Sequence, residues 1–271
     1  APVSVNLPGE KFLAVSAGSN HTCAISDSWS LKCWGANENG QLGTGTTTSS
    51  NAPSTITLGG SVVAVSAGGA HTCAILDGSG SGDVKCWGDN AFGQLGDGTT
   101  ADRQIMTAVG LDSARTAVSV SSGEDHTCSI LDNGEIQCWG RNNFGQLGDG
   151  SNSHSSTPVE VTLGEVPVQL SAGDWHTCAI LDDASLKCWG RNNFGQLGDG
   201  TNSDSSTPVT VSLPGEKFLA VSAGSNHTCA VSDSWAVSCW GSNQNGQLGI
   251  GTTVSSNTPS TVTVGGSAVA V

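Results

Sequence analysis

The chain of 271 residues has no tyrosine, five phenylalanines and one methionine. Any core therefore falls mostly to Val, Leu, Ile, Ala and Trp. Basic residues are equally scarce, with nine Lys and Arg against 23 Asp and Glu, a formal charge of −14. A surface that acidic repels phosphate backbones, which argues against nucleic-acid binding. No apolar run approaches the roughly 18 residues that a membrane-spanning helix needs. An initiator Met and a charged, apolar leader are both missing, as expected of a mature or excised segment. Also lacking are a P-loop, a glycine fingerprint between strand and helix, and a Ser-His-Asp order, so the sequence points to no enzyme and no cofactor.

What the chain has in quantity is glycine, 38 residues, and a repeat. His-Thr-Cys recurs at His21, His71, His126, His176 and His227, and Cys-Trp-Gly follows at Cys33, Cys86, Cys138, Cys188 and Cys239. The histidines are 50, 55, 50 and 51 residues apart, a period of propellers, solenoids or arrays. Each unit closes on Gly-Gln-Leu-Gly. Four short β-branched segments per unit predict strands: one after a proline (Pro208–Val211), one at Leu219–Ser222, the His-Thr-Cys segment, and one ending in Cys-Trp-Gly. No window has a helical period, so the fold class is all-β, with propeller-type blades of four strands. The units run approximately 1–52, 53–102, 103–157, 158–207 and 208–258, with a partial sixth at 259–271.

A longer repeat lies above this one. Residues 2–65 match 208–271 at a constant offset, with 50 of 64 positions identical. The last residues thus carry strand candidates at Ser260–Val264 and Ala268–Val271, repeating Ser54–Leu58 and Val62–Val65. The first unit has its own copies at Val3–Val5 and Leu13–Ser16. This pattern suggests an extended, filament-like array of four-unit blocks.

The ten cysteines fall in pairs. Setting Cys128 opposite Cys138 in an antiparallel hairpin puts Ile130 opposite Ile136 and Leu131 opposite Glu135. Asp132-Asn133-Gly134 then forms a three-residue loop, with glycine where a left-handed residue is needed. Directly opposed residues share a face at a separation close to disulfide geometry. The same register joins Cys23 to Cys33, Cys178 to Cys188 and Cys229 to Cys239. Cys73–Cys86 has three more residues, absorbed in the turn Asp77–Asp83. Free buried thiols and a zinc site using the adjacent histidines are the competing readings. Zinc would have only three ligands per unit and no Cys-x-x-Cys knuckle. Five disulfides suit an oxidising compartment, which places the protein outside the cytoplasm, secreted or at a cell surface.

Ala-Gly-x-x-His at Ala172–His176, Trp-Gly at Trp189 and Asn-x-x-Gly-Gln-Leu-Gly-Asp-Gly at Asn192–Gly200 resemble the repeat of the regulator-of-chromosome-condensation family. The resemblance covers essentially the whole chain. It implies propeller-like, four-stranded blades, usually seven to a ring. The cysteine-containing variant is similar to repeats of secreted or surface proteins of bacteria and archaea. The family's best-known activity, nucleotide exchange on a small GTPase, uses loops and a wedge outside the repeat. Here the longest unit exceeds the others by only five residues, around Ala101–Arg115.

Several side chains are candidates for more than packing. The five repeated histidines and Trp34, Trp87, Trp139, Trp189 and Trp240 read as contacts between blades, since one chemistry does not need five identical centres. Asp97, Asp149 and Asp199 sit in Gly-Asp-Gly turns; turn chemistry competes there with calcium binding, for which Asp97 with Asp102 and Asp199 with Asp204 come nearest. Trp29 and Trp235, in hairpin loops, and Trp175, before a histidine, do not follow the repeat and are candidate partner contacts. Asn20 and Asn226 stand in Asn-His-Thr glycosylation sequons. The sequence thus favours a non-catalytic, extracellular structural or adhesive protein that associates with itself or with neighbouring repeats. A discrete propeller binding one protein or glycan through loops on one face is the alternative, and a GTPase regulator a remote third.

Overall fold

The computed structural model describes residues 5, 9–77, 83–112, 115–213, 215–266, 268 and 270–271. These form five antiparallel sheets of four strands and no helix. The first sheet runs β1 (Phe12–Ala17), β2 (His21–Ser26), β3 (Leu31–Gly35) and β4 (Ser50–Ile56). The second comprises β5 (Ser61–Ala67), β6 (His71–Asp77), β7 (Asp83–Gly88) and β8 (Arg103–Ala108). The third holds β9 (Ala117–Ser122), β10 (His126–Leu131), β11 (Ile136–Gly140) and β12 (Ser155–Val161). The fourth contains β13 (Pro167–Ala172), β14 (His176–Leu181), β15 (Leu186–Gly190) and β16 (Ser205–Thr210). The fifth ends the series with β17 (Phe218–Ala223), β18 (His227–Ser232), β19 (Val237–Gly241) and β20 (Ser256–Val262). We call each sheet a blade.

The blades are phased differently from the repeat units. The proline-containing segment that opens a unit is the outer strand of the preceding blade: Cys188 of β15 faces Val209 of β16, and Cys33 of β3 faces Ser54 of β4. Four of the unit boundaries therefore fall inside outer strands, and the one after 102 falls just before β8. For the same reason Ser260–Val264 does not open a sixth blade. Cys239 faces Ser260, so its strand completes the fifth. Proline lacks an N–H, and an outer strand tolerates it because one edge faces solvent. Ala268, Ala270 and Val271 are not in a strand, but the Ala268 N–H donates to the Trp235 carbonyl at 3.3 Å, as Val62 N–H does to Trp29 at 3.0 Å. The strand expected at Val3–Val5 and the turn within Asp77–Asp83 fall largely outside the described residues.

Within a blade the hairpin follows the predicted register. Cys128 faces Cys138, Ile130 faces Ile136, and Leu131 N–H donates to the Glu135 carbonyl at 2.8 Å. Gly134 takes φ 80°, the left-handed value that its loop position demands. Trp29, Ala184 and Trp235 occupy the same position in their hairpins at φ 60°, 64° and 62°.

The core lies between blades. Cys128, Cys138, Ile130 and Ile136 of the third blade pack on Trp189, Leu170, Ala179 and Leu181 of the fourth. The second and fourth blades repeat this arrangement with their own neighbours. Hydrophobic burial of this kind, about 25 cal/mol per Å² of apolar surface, is what a single four-stranded blade cannot achieve alone. The inner turns of all five blades, including Gly18, Gly68, Gly123, Gly173 and Gly224, line one cavity of about 270 Å³. The blades thus curve about a common axis.

Candidate binding surfaces

The repeated motif residues build the junctions. At the second junction His71 Nε2 lies 2.9 Å from Thr127 Oγ1, Thr127 Oγ1 donates to the Gln94 carbonyl at 3.0 Å, and Trp139 Nε1 donates to the same carbonyl at 2.8 Å. The same trio recurs at the other three: His21, Thr72, Trp87 and Gln41; His126, Thr177, Trp189 and Gln146; His176, Thr228, Trp240 and Gln196. Each blade thus gives its histidine and its Gln carbonyl to the threonine and tryptophan of the next. An inner-strand serine adds a further bond at each of the four junctions; Ser121 Oγ accepts from the Ala172 N–H at 2.9 Å.

This geometry fixes the histidine tautomer. The threonine hydrogen is spent on the Gln carbonyl, so its oxygen must accept from an Nε2–H. Nδ1 is then unprotonated, and in His21, His71, His126 and His176 it is buried with no hydrogen-bond partner among the described residues. Burial drives the His71, His126 and His176 pKa values down to about 3, with neighbouring histidines adding to the effect, and that of His21 to about 4. They are structural and neutral. Crowding accompanies them: a Cβ on Gly123 would meet the Gly173 carbonyl oxygen and the His126 ring, so only glycine fits.

Each hairpin is closed by one disulfide: Cys23–Cys33, Cys73–Cys86, Cys128–Cys138, Cys178–Cys188 and Cys229–Cys239. Cα separations are 4.1–4.2 Å. No group of three His, Cys, Asp or Glu among the described residues is disposed to hold a metal. The Gly-Asp-Gly aspartates are committed to their turns. Asp97 accepts from Thr99 N–H at 2.9 Å and pairs with Arg103 at 2.7 Å, and Asp199 accepts from Thr201 N–H at 2.9 Å. Asp149 does the same for Ser151. Asp102 and Asp204 instead each accept a backbone N–H, from Asn90 and Asn192.

The candidate contact tryptophans separate onto opposite ends of the blades. Trp29 and Trp235, 46% and 47% exposed, are at the hairpin tips. Trp175 lies at the other end, in the β13–β14 turn. That end also carries the loops between the third and fourth strands, and there Trp175 joins a ladder across three blades. Phe92 meets His154 edge-on at 5.1 Å; Arg141 lies over the rings of Phe92 (4.6 Å) and Trp175 (4.5 Å). Phe144 meets Trp175 edge-on at 5.9 Å, and Arg191 lies over Phe144 at 5.0 Å. The motif hides Phe92, Phe144, Arg141 and Arg191, because they look like repeat residues. Their signal is the contrast with units one and five, where Asn39 and Asn245 replace Phe, and Ala36 and Ser242 replace Arg.

The two sequons differ. Asn20 is exposed, and its Thr22 is half-buried. Thr228, which completes the sequon of Asn226, is fully buried and bonded to Gln196.

Five blades of one architecture agree with the comparison to known protein families, in which the RCC1-like domain matches residues 1–271. The chain belongs to the RCC1-like domain family. It is 36% identical to the ultraviolet-B receptor UVR8 of Arabidopsis thaliana over 251 residues, covering 91% of this chain and 57% of UVR8. It is 30% identical to the human E3 ubiquitin-protein ligase HERC2 over 257 residues, 94% of this chain but 4% of HERC2. The chain thus spans little more than half of one relative and a small part of the other. In fold it is similar to human WBSCR16, with a TM-score of 0.88 at 24% identity, covering 98% of this chain and 71% of that one. No helix among the described residues is long and apolar enough to cross a membrane.

Proposed function

We propose that this RCC1-like chain is a non-catalytic, extracellular structural or adhesive repeat protein whose blades stack on neighbouring repeats of the same protein. One comparison carries the reading. Phe218 and Val221 of β17 are buried, 4% and 3% exposed, under the fourth blade, whereas their copies Phe12 and Val15 in β1 are 38% and 70% exposed. Trp240 is likewise fully buried and Trp34 half-buried. The first blade therefore carries the same apolar face that the fourth blade covers in the fifth, and a neighbouring blade of that type fits it. The five disulfides support an oxidising setting. Footprinting of the native protein with hydroxyl radicals should find Phe12 and Trp34 as protected as Phe218 and Trp240, and a membrane-impermeant label should find the protein outside the cell. Reactive Phe12 and Trp34, or a cytosolic protein with reduced thiols, would refute this reading.

A second reading, a propeller that binds one protein or glycan through one end, draws on a different observation. The ladder around Trp175 is confined to three of five units that otherwise share their framework. Trp29 and Trp235 offer contacts at the opposite end. Nucleotide exchange on a small GTPase is a remote third reading, and it draws on the family resemblance alone.

A further inference from the structure

Arg141 and Arg191 hold the same position in successive units, and their surroundings differ in one respect. Arg141 is paired: its Nη1 donates to Asp125 Oδ2 at 3.0 Å, and its Nε to Asn143 Oδ1 at 2.7 Å. In the fourth unit the residue equivalent to Asp125 is Trp175. Arg191 consequently rests on the Phe144 ring with no carboxylate partner among the described residues. A guanidinium held over an aromatic ring is pre-organised and weakly hydrated, and it presents a planar fork matched to a carboxylate. Asp125 beside Arg141 is the built example of what Arg191 lacks.

The apolar part of this surface is not required by the repeat. Asn39 and Asn245 stand where Phe92 and Phe144 do, and Asn20 and Asn226 stand where Trp175 does, within blades of the same architecture. Trp, Phe and Arg clustered beyond the needs of the fold are the composition of a protein-binding hot spot. A sugar ring would need a free aromatic face; Arg141 covers one face of Trp175 and Phe144 meets it edge-on. The net charge of −14 opposes the approach of a strongly acidic partner, which favours one carboxylate set among apolar residues.

We infer that the end of the third and fourth blades, centred on Arg191, Phe144 and Trp175, docks a protein segment that presents a single carboxylate beside an apolar side chain. The carboxylate pairs with Arg191 as Asp125 pairs with Arg141, and the apolar side chain packs against the edges of the half-buried Phe144 and Trp175. The inference deepens the second reading above and is independent of the first.

The test pans a phage-displayed dodecapeptide library on the oxidised chain and measures synthetic versions of the enriched peptides by fluorescence polarisation. Enriched peptides should share an Asp or Glu next to an apolar residue. Arg191→Ser, or Glu→Gln in the peptide, should weaken binding about ten- to a hundredfold. Trp175→Asn and Phe144→Asn should weaken it too, and Trp29→Gly should not. These variants import residues that sister units already use, and unchanged thermal unfolding will confirm their folding. Arg191→Glu should bind the Lys version of the peptide in preference to the Glu version. Absence of an acid-plus-apolar consensus, binding indifferent to Arg191→Ser, or glycan-array binding that Arg191→Ser abolishes while no peptide is enriched would each overturn the inference. None of these results bears on the footprinting of Phe12 and Trp34.

Discussion

Acid should dismantle this protein through its histidines. His71, His126 and His176 are fully buried, and their Nδ1 atoms have no hydrogen-bond partner among the described residues. Their folded pKa values are depressed to about 3 from 6.5. For a base depressed in the folded state, the unfolded chain takes up protons first as pH falls. Stability is therefore complete above about pH 6.5 and declines as pH drops from there toward 3. One pKa unit corresponds to about 1.4 kcal/mol, so at pH 5.5 each of these three sites, and His21 with its pKa of about 4, contributes about 1.4 kcal/mol of destabilisation, roughly 5–6 kcal/mol together. That is a large share of the 5–15 kcal/mol typical of a folded protein. Glu124 and Asp89 oppose the trend: burial raises their pKa values, so acid relieves them. The assay is urea unfolding with disulfides intact, from pH 7.5 to 5. Stability should fall with a slope near four protons, and His126→Gln should reduce that slope by about one proton. A change below about 1 kcal/mol between pH 7.5 and 5.5, or an unaltered slope in His126→Gln, would refute the argument.

Four further outcomes follow from the same geometry. Peptide mapping under non-reducing conditions should recover the five within-hairpin pairs, and replacing Cys128 and Cys138 by Ser should lower stability by about 3 kcal/mol; linkages between hairpins would contradict the topology. Gly123→Ala forces a methyl against the Gly173 carbonyl and should destabilise by about 1–3 kcal/mol, whereas Gly60→Ala, whose nearest neighbour would be 3.4 Å away, should be close to neutral; equal effects would count against the junction packing. Ala184→Gly relieves a left-handed residue at φ 64° and should raise stability by about 0.5–1 kcal/mol in thermal unfolding. Gel shifts at physiological ionic strength should show no binding of duplex DNA, and a salt-sensitive complex would overturn the charge argument.

Local features were legible in the sequence because local chemistry decides them. The Cys128–Cys138 hairpin closes through three residues, and Asp132-Asn133-Gly134 allows one register. The repetition of His126 and Trp139 likewise identifies contacts between blades without naming their partners. The phase of the sheets was not legible. β3 and β4 are separated by the loop that carries Gly-Gln-Leu-Gly, and a period near 50 is the same wherever counting starts. The signal was nevertheless present as Pro53, Pro158, Pro208 and Pro259, each inside a strand. A strand with an internal proline belongs at a sheet edge. Such a strand is the outer member of a blade, and this places each one after Cys-Trp-Gly.

The ladder at the blade ends escaped for the opposite reason. Repetition conceals function when a functional residue occupies a framework position. Phe144 belongs to the Asn-x-x-Gly-Gln-Leu-Gly segment in which Asn142 is structural: its Oδ1 accepts from the Leu147 N–H at 2.9 Å, and its Nδ2 donates to the Ser151 carbonyl at 3.1 Å. Asn142 has counterparts in all five units, whereas Phe144 has them in only two others. Positions that the fold needs are those that every blade keeps, because each junction must repeat the same hydrogen bonds. Positions that change between blades with the same backbone are released from that demand, and the junction hydrogen bonds do not account for an aromatic or arginine placed there. By this criterion Trp29, Trp235, Trp175, Phe144 and Arg191 stand apart from Trp139 and His126. The tryptophans at φ 60° and 62° add an independent physical mark, since a left-handed backbone disfavours a large side chain that glycine or alanine could replace.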